Sequence, residues 1–238
     1  MKKKFELLRT IGPSHLGSDG SITPTALVDL MQDCSLFQLD SEQDLTHYFE
    51  AHKVGMYLSS RQINIVRLPR HGEKVNIVTW VYTCNPAYGY RNTNVYDTTG
   101  AICAYSYATG VFVHLHSGQV TRIPQAVLDT VPIYEPYDMV YLPRRVKIPN
   151  TEPKAAQPFY VQRYLLDANK HINNAKYVAV AQEYIPEDFS PKQIRIEYQL
   201  PAKSQDLIKP LCYPIDNGFV IDLATKDNKH FAVVEFTH

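Results

Sequence analysis

Two periodicities run through this chain, and they alternate in a fixed order. Leu27, Leu30, Met31 and Cys34 recur at i, i+3, i+4 and i+7, which predicts a helix with one apolar stripe. Thr23 followed by Pro24 supplies a cap and a first-turn proline for it. Tyr177, Val180, Ala181 and Tyr184 repeat the spacing behind Asn173, which predicts a second helix with its own cap. Between and after these stretches the period drops to two. RQINIVRLP, VNIVTWVY, GYRNTNVY and ICAYSYATGVFVHL come after the first helix; KQIRIEYQLP, LIKPLCYP, GFVIDLA and HFAVVEF come after the second. Each reads as a strand.

The order strand, helix, several strands therefore occurs twice, and the likeness extends to single residues. Leu16 to Asp33 and Leu166 to Glu183 match without a gap, 150 positions apart: Leu16 with Leu166, Ile22 with Ile172, Val28 with Val178, Gln32 with Gln182. FELLR from Phe5 pairs with FYVQR from Phe159, and Ile63 and Ile65 answer Ile194 and Ile196 at an offset of 131. The first copy then carries about nineteen extra residues, SEQDLTHYFEAHKVG among them. Three matched elements in one order point to a duplicated unit. In each unit an antiparallel sheet wrapped around the helix buries both apolar faces, an α+β architecture. Pro132 to Pro158, dense in proline and holding Arg144, Arg145 and Lys147, reads as an extended surface linker. The expected organisation is residues 1–131, a linker at 132–158, and 159–238.

One loop breaks the symmetry. Leu166 to Tyr177 reads LDANKHINNAKY, between the first strand and the helix of the second copy, where the first copy has LGSDGSIT. Gly17, Gly20 and Ser21 thus stand opposite Asp167, Lys170 and His171. Polar side chains that are buried without partners cost free energy, so such a cluster needs a reason. A helix N-terminus offers one, because its unpaired N–H groups and positive dipole end can polarise a carbonyl or steady an oxyanion. The loop also resembles a calcium loop in its D-x-N-x-H, but Ile172 stands where glycine is required and Val178 where the bidentate glutamate belongs. Asn173 and Asn174 read as cap and turn residues. On a straight strand Asp167 and His171 are roughly 13 Å apart, so the loop must curl if they are to meet.

D-A-N-K-H-I-N-N-A-K-Y resembles the Asp-x-Asn-x-His-x-Asn-Asn signature of the acyl-ACP thioesterases of bacteria and plant plastids. LMQD, LPRHGEKVNIVTWV, YGYRNTNVYDTTGAICAYS, VTRIP and IRIEY are similar to segments of that family in the same order. The resemblance implies a double hot-dog fold and hydrolysis of the thioester between a fatty acyl chain and the phosphopantetheine arm of acyl carrier protein. It implies no metal and no cofactor, and it gives Asp167, Asn169 and His171 as the site residues. Their chemistry suits thioester hydrolysis, because a free imidazole, with a reference pKa near ~6.5, can take a proton from water near neutrality. His171 is expected as base or water-orienting group, Asn169 as donor to the water or oxyanion, and Asp167 as the group that orients them.

One departure stands out. The family's strand after the helix runs from Glu-Tyr to a further acid, and here E-Y-Q-L-P-A puts Pro201 at that position. Either Glu183 or Glu197 substitutes, or the three loop residues work with water alone, or the protein binds acyl groups without cleaving them. Acyl-CoA hydrolysis is a further alternative.

Composition narrows the remainder. Apolar residues are 45% and charged residues 20%, with 24 basic and 24 acidic side chains, so nothing suggests nucleic-acid binding. MKKK has the charge of a signal peptide's start, but Glu6 and Arg9 interrupt the apolar run that such a peptide requires next. Neither export nor a membrane span is expected, and a cytoplasmic location is. Cys34, Cys84, Cys103 and Cys212 lack CxxC spacing and read as core residues in a reducing compartment. His114 and His116 read as the solvated end of a strand, and Tyr88, Tyr90, Tyr96, Tyr105 and Tyr107 as sheet packing or as the lining of an acyl tunnel. Acyl carrier protein is acidic, so Arg144, Arg145 and Lys147, or Arg67, Arg70 and Lys74, are candidate docking cations. A fused pair of units is compatible with a monomer or a homodimer.

Overall fold

A computed structural model describes residues 3–238; Met1 and Lys2, the first half of the MKKK start, lie outside the described residues. The chain forms two units of the same α+β design, and the fold is a double hot-dog. Among the described residues, 3–59 and 65–142 form the first unit, and 60–64 and 143–238 the second. Among the described residues no helix is long and apolar enough to cross a membrane.

The first unit runs β1 (Phe5–Thr10), α1 (Pro24–Asp40), α2 (Gln43–His52), β2 (Val54–Ile65), β3 (Lys74–Cys84), β4 (Tyr88–Asp97), β5 (Ile102–His114) and a single turn α3 (Gln125–Leu128). Its sheet has the order β1-β3-β4-β5-β2, with antiparallel β1–β3, β3–β4 and β4–β5 ladders. The predicted stripe of α1 is the buried one: Leu27, Leu30, Met31 and Cys34 face β3, with Ser35 and Gln38 extending it. Burying each large apolar side chain there contributes roughly 1.5–3 kcal/mol. Thr23 caps the helix, its hydroxyl accepting the Ala26 N–H at 3.1 Å. Helix α2, with Leu45 and Phe49 in the core, is what the extra residues of the first copy build.

The second unit runs β6 (Lys154–Ala155), β7 (Phe159–Tyr160), α4 (Asn174–Gln182), β8 (Gln193–Tyr198), β9 (Leu207–Ile215), β10 (Gly218–Ala224) and β11 (His230–Thr237). Residues 60–64 of β2 pair with β8, and the order continues β8-β11-β10-β9-β6, with β7 also on β9. Helix α4 packs on β10 and β11 and is short; Tyr177 and Ala181 of its predicted stripe are buried, whereas Val180 and Tyr184 are half-buried.

Hydrogen bonds fix a different repeat register from the one expected on the strands. The N–H of Ile22 donates to the Pro69 carbonyl, and that of Ile172 to the Ala202 carbonyl. Ile11 N–H donates to Glu73 O, and Val161 N–H to Asp206 O. Ala202 therefore answers Pro69, and Asp206 answers Glu73, an offset of 133 in place of 131. A shared bulge confirms it: Val66 and Arg67 both donate to Cys103 O, as Gln199 and Leu200 both donate to Phe231 O. At the offset of 150, β1 is answered by residues 155–160, where Pro158 interrupts the strand and leaves only the fragments β6 and β7.

The stretch 132–158 contains one strand of two residues and is anchored at both ends. In the first unit Trp80 Nε1 donates to Glu135 O at 2.9 Å, and Tyr107 Oη donates to Leu142 O. Asn92, wholly buried, accepts the Tyr137 N–H at 3.0 Å and the Tyr141 hydroxyl at 3.1 Å while donating to Ser106 O at 3.2 Å. Tyrosine rings pack on one another nearby: Tyr105 on Tyr137, Tyr107 on Tyr141, Tyr82 on both Tyr90 and Tyr141. Burial, with the neighbouring hydroxyls second, raises the Tyr82 pKa well above the usual phenol range. In the second unit Arg195 donates to the carbonyls of Pro143 and Arg145, and Val146 N–H donates to Glu197 Oε2 at 3.1 Å. Asn92→Ala strands the Tyr137 N–H, whereas the Tyr141 hydroxyl keeps its bond to Tyr137 O at 2.8 Å, and the change is expected to cost about 1–3 kcal/mol. A denaturant midpoint within error of the parent's would contradict that role for Asn92.

Candidate active site

The site loop is a closed turn built on the main chain. After a 3-10 turn at Arg163–Leu165, Leu166 and Ile172 form an antiparallel bridge and the five residues between them fold back. Asp167 N–H donates to His171 O at 2.8 Å and Lys170 N–H to Asp167 O at 3.0 Å, with Lys170 left-handed at φ 62. The loop therefore curls, and the ends that a straight strand would separate by roughly 13 Å lie hydrogen-bonded. Next door, Ile172 N–H donates to Ala202 O at 2.9 Å, and His171 bridges Lys203. Asn173 closes the structure into α4, its Oδ1 accepting the Ala175 N–H at 2.8 Å.

The first copy makes the same turn with other side chains. Gly17 N–H donates to Ser21 O, Gly20 N–H to Gly17 O, and Gly20 is left-handed at φ 75. Its one side-chain bond runs from Ser21 N–H to Asp19 Oδ1 at 2.9 Å. In the second copy Asp167 takes that role, its Oδ1 accepting Asn169 N–H at 2.8 Å and His171 N–H at 3.2 Å. This frees the side chain at position 169 from holding the turn.

The three residues picked out in the sequence thus share one turn, each in a different state. Asp167 is half-buried and committed through Oδ1; Asn169 is exposed; His171 is half-buried. Neither the carboxamide of Asn169 nor the imidazole of His171 hydrogen-bonds to any described residue, so both remain available beside the N-terminus of α4. Among the described residues no cluster of His, Cys, Asp and Glu could hold a metal ion.

Neither carboxylate named as a substitute for the missing acid reaches the loop. Glu183 is the exposed C-cap of α4, and nine residues of helix put roughly 14 Å between it and the loop end. Glu197 is buried, but strand alternation turns it away from Ile194, Ile196 and Tyr198, and its Oε2 holds the Val146 N–H. Tyr198, on the other face, donates its hydroxyl to Asn174 O at 3.1 Å. Pro201 itself is exposed and adjoins Ala202, whose carbonyl binds the loop.

Two residues there escaped the sequence reading. Asp206 Oδ2 accepts Lys203 N–H at 2.8 Å, closing the turn after Pro201. Tyr177, 3% exposed, points its hydroxyl at that segment and accepts the Ala202 N–H at 3.1 Å. Burial chiefly, then the charges of Asp206 and Asp167, push the Tyr177 pKa up to about 12, and the hydroxyl stays neutral. Its counterpart in the first copy is Leu27, and that difference was visible in the repeat. Tyr177→Phe leaves the buried Ala202 N–H unpaired beside the strand that positions His171. It is expected to lower kcat about tenfold, equivalent to ~1.4 kcal/mol, with KM little changed. A parent-like kcat would show that the hydroxyl only packs.

The solved structures with this architecture carry the fold. An acyl-ACP thioesterase from Bacteroides thetaiotaomicron VPI-5482 aligns with a TM-score of 0.87 at 17% identity, covering 98% of this chain and 96% of that one. The 12:0-ACP thioesterase from Umbellularia californica aligns at 0.84 with 18% identity, covering 98% and 96%. The fold they share defines a double hot-dog protein. In sequence, the family profile described as acyl-ACP thioesterase N-terminal domain matches residues 3–131, and that described as acyl-ACP thioesterase C-terminal domain matches 149–233. The chain belongs to the acyl-ACP thioesterase family. It is 24% identical over 173 residues to the chloroplastic acyl-[acyl-carrier-protein] hydrolase FATB2 of Cuphea viscosissima, a stretch covering 65% of this chain and 40% of that protein's length.

Proposed function

We propose that this protein hydrolyses fatty acyl-ACP thioesters to free fatty acid and holo-ACP. The observation that carries the reading is the pairing of an uncommitted imidazole, His171, with an uncommitted carboxamide, Asn169, on a turn held by Asp167. The corresponding turn of the first unit has Ser21 and a committed Asp19. His171 takes a proton from water as the water oxygen attacks the thioester carbonyl carbon. Asn169 Nδ2 or an N–H of the first turn of α4 faces the oxygen that becomes negative. Collapse of the tetrahedral species breaks the C–S bond, and His171 returns the proton to the departing thiolate. Asp167 holds both neighbours by their main chain. Because the family's acid is Pro201, no carboxylate at that position assists. The four cysteines are free thiols, which suits a cytoplasmic location.

Free-thiol release, measured across acyl-ACP and acyl-CoA substrates of graded chain length, tests this reading. Release from acyl-ACP in preference to acyl-CoA is expected. Preference for acyl-CoA would make it an acyl-CoA hydrolase, and binding of acyl-ACP without release would make it a non-catalytic acyl-binding protein.

A further inference from the structure

The mouth of the loop carries a set of side chains that neither the turn nor the proposed chemistry uses. Arg163 begins the 3-10 turn, Lys170 sits at the apex of the loop, Lys176 lies in the first turn of α4, and Lys203 pairs its backbone with His171. Arg163, Lys170 and Lys203 are exposed and Lys176 half-exposed, and none of the four makes an ion pair with any described residue. The two acids within this set, Asp167 and Asp206, each spend an oxygen on backbone N–H groups of their own turns. Two large apolar side chains are exposed close to the cations in sequence: Tyr164, next to Arg163, at 77% exposure, and Leu200, three residues before Lys203, at 40%.

The duplicated unit serves as an internal control. At the offsets fixed by hydrogen bonds, Arg163, Tyr164, Lys170 and Lys176 are answered by Pro13, Ser14, Gly20 and Ala26, and Leu200 by Arg67. Only Lys203 has a basic counterpart, Arg70. The first unit makes the same turns without the other three cations, so the fold does not require those three. Arg67 is meanwhile committed to Glu73 and Asp97 at 2.8 Å each, which removes it as a free docking cation.

We infer that Arg163, Lys170, Lys176 and Lys203, with Tyr164 and Leu200, form the docking surface for an acidic carrier protein that presents its thioester-loaded arm to the loop. The inference rests on the hydrolase reading above and gives it a partner surface. Unpaired exposed cations mainly raise the association rate of an acidic partner and make it salt-dependent, while an exposed aromatic ring and a leucine supply the apolar contacts of an interface core.

The test is Arg163→Glu together with Tyr164→Ala. It is assayed on an acyl-ACP and on the N-acetylcysteamine thioester of the same acyl group, which lacks both carrier and phosphate. The kcat/KM on acyl-ACP is expected to fall about 10- to 100-fold, mostly through KM, with less than about a twofold change on the small thioester. Added salt should depress the parent's kcat/KM on acyl-ACP and the variant's less steeply. Equal losses on both substrates, or none on acyl-ACP, overturn the surface, as does a larger loss from reversing Arg144 and Arg145 instead. Titration of holo-ACP against the parent and the variant separates this inference from the hydrolase reading. Charge-dependent binding by a chain that cleaves nothing would keep the surface and remove the hydrolase. Cleavage of acyl-ACP undisturbed by the two substitutions would do the opposite.

Discussion

His171→Ala is expected to reduce thioester cleavage by about 10²- to 10⁴-fold, the usual contribution of a positioned general base. The fold should not notice. His171 supports the loop only through its main chain, donating its N–H to Asp167 Oδ1 and accepting from Asp167 N–H, and alanine keeps both bonds. Its ring is half-buried and bonded to no described residue, so the loss in stability should stay below roughly 1 kcal/mol. Unchanged hydrolysis in a folded variant would remove His171 from the mechanism.

The second large effect comes from rewriting the second loop in the first loop's language. Asp167→Ala alone strips an acceptor from two N–H groups and should cost about 1–3 kcal/mol, mixing a folding defect into any kinetic one. The double variant Asp167→Gly with Asn169→Asp avoids this. It recreates the Gly17 and Asp19 arrangement, in which the carboxylate two residues before Ser21 accepts the Ser21 N–H at 2.9 Å. The turn is then capped as in the first unit, and His171 keeps its place. The uncommitted carboxamide is lost, together with the double hold on the neighbouring main chain. Hydrolysis is expected to fall by about 10³-fold while Tm stays within a few degrees of the parent. Retained activity would mean that the Asn169 carboxamide takes no part in the reaction and that Asp167 serves only the turn.

The helices, their caps and the duplication were legible because each rests on local chemistry. Thr23 and Asn173 cap where their side chains can reach the first turn, and the stripe of α1 keeps the helical period. The register of the second half was not legible, for a definite reason. Side chains on a strand repeat every two residues, so offsets of 131 and 133 place the same apolar residues on the same face. Long-range hydrogen bonds and the paired bulges at Val66–Arg67 and Gln199–Leu200 tell them apart, and neither leaves a mark in an alternating pattern. The site was half legible. Asp167, Asn169 and His171 lie within five residues, so their meeting comes from one turn. Tyr177 and Asp206 join them through long-range hydrogen bonds to the segment after Pro201. Glu197 illustrates the converse: it sits on the right strand, on the face turned away.

In the proposed mechanism two loops of one backbone design differ in function because only the second carries free reactive side chains. Free-thiol release from acyl-ACP, measured side by side for the parent and for the Asp167→Gly, Asn169→Asp double variant, tests this most directly. The parent is expected to release holo-ACP thiol and fatty acid in equal amounts, and the folded variant to bind acyl-ACP without appreciable release. A parent that releases nothing, or a variant that releases at the parent's rate, would contradict it.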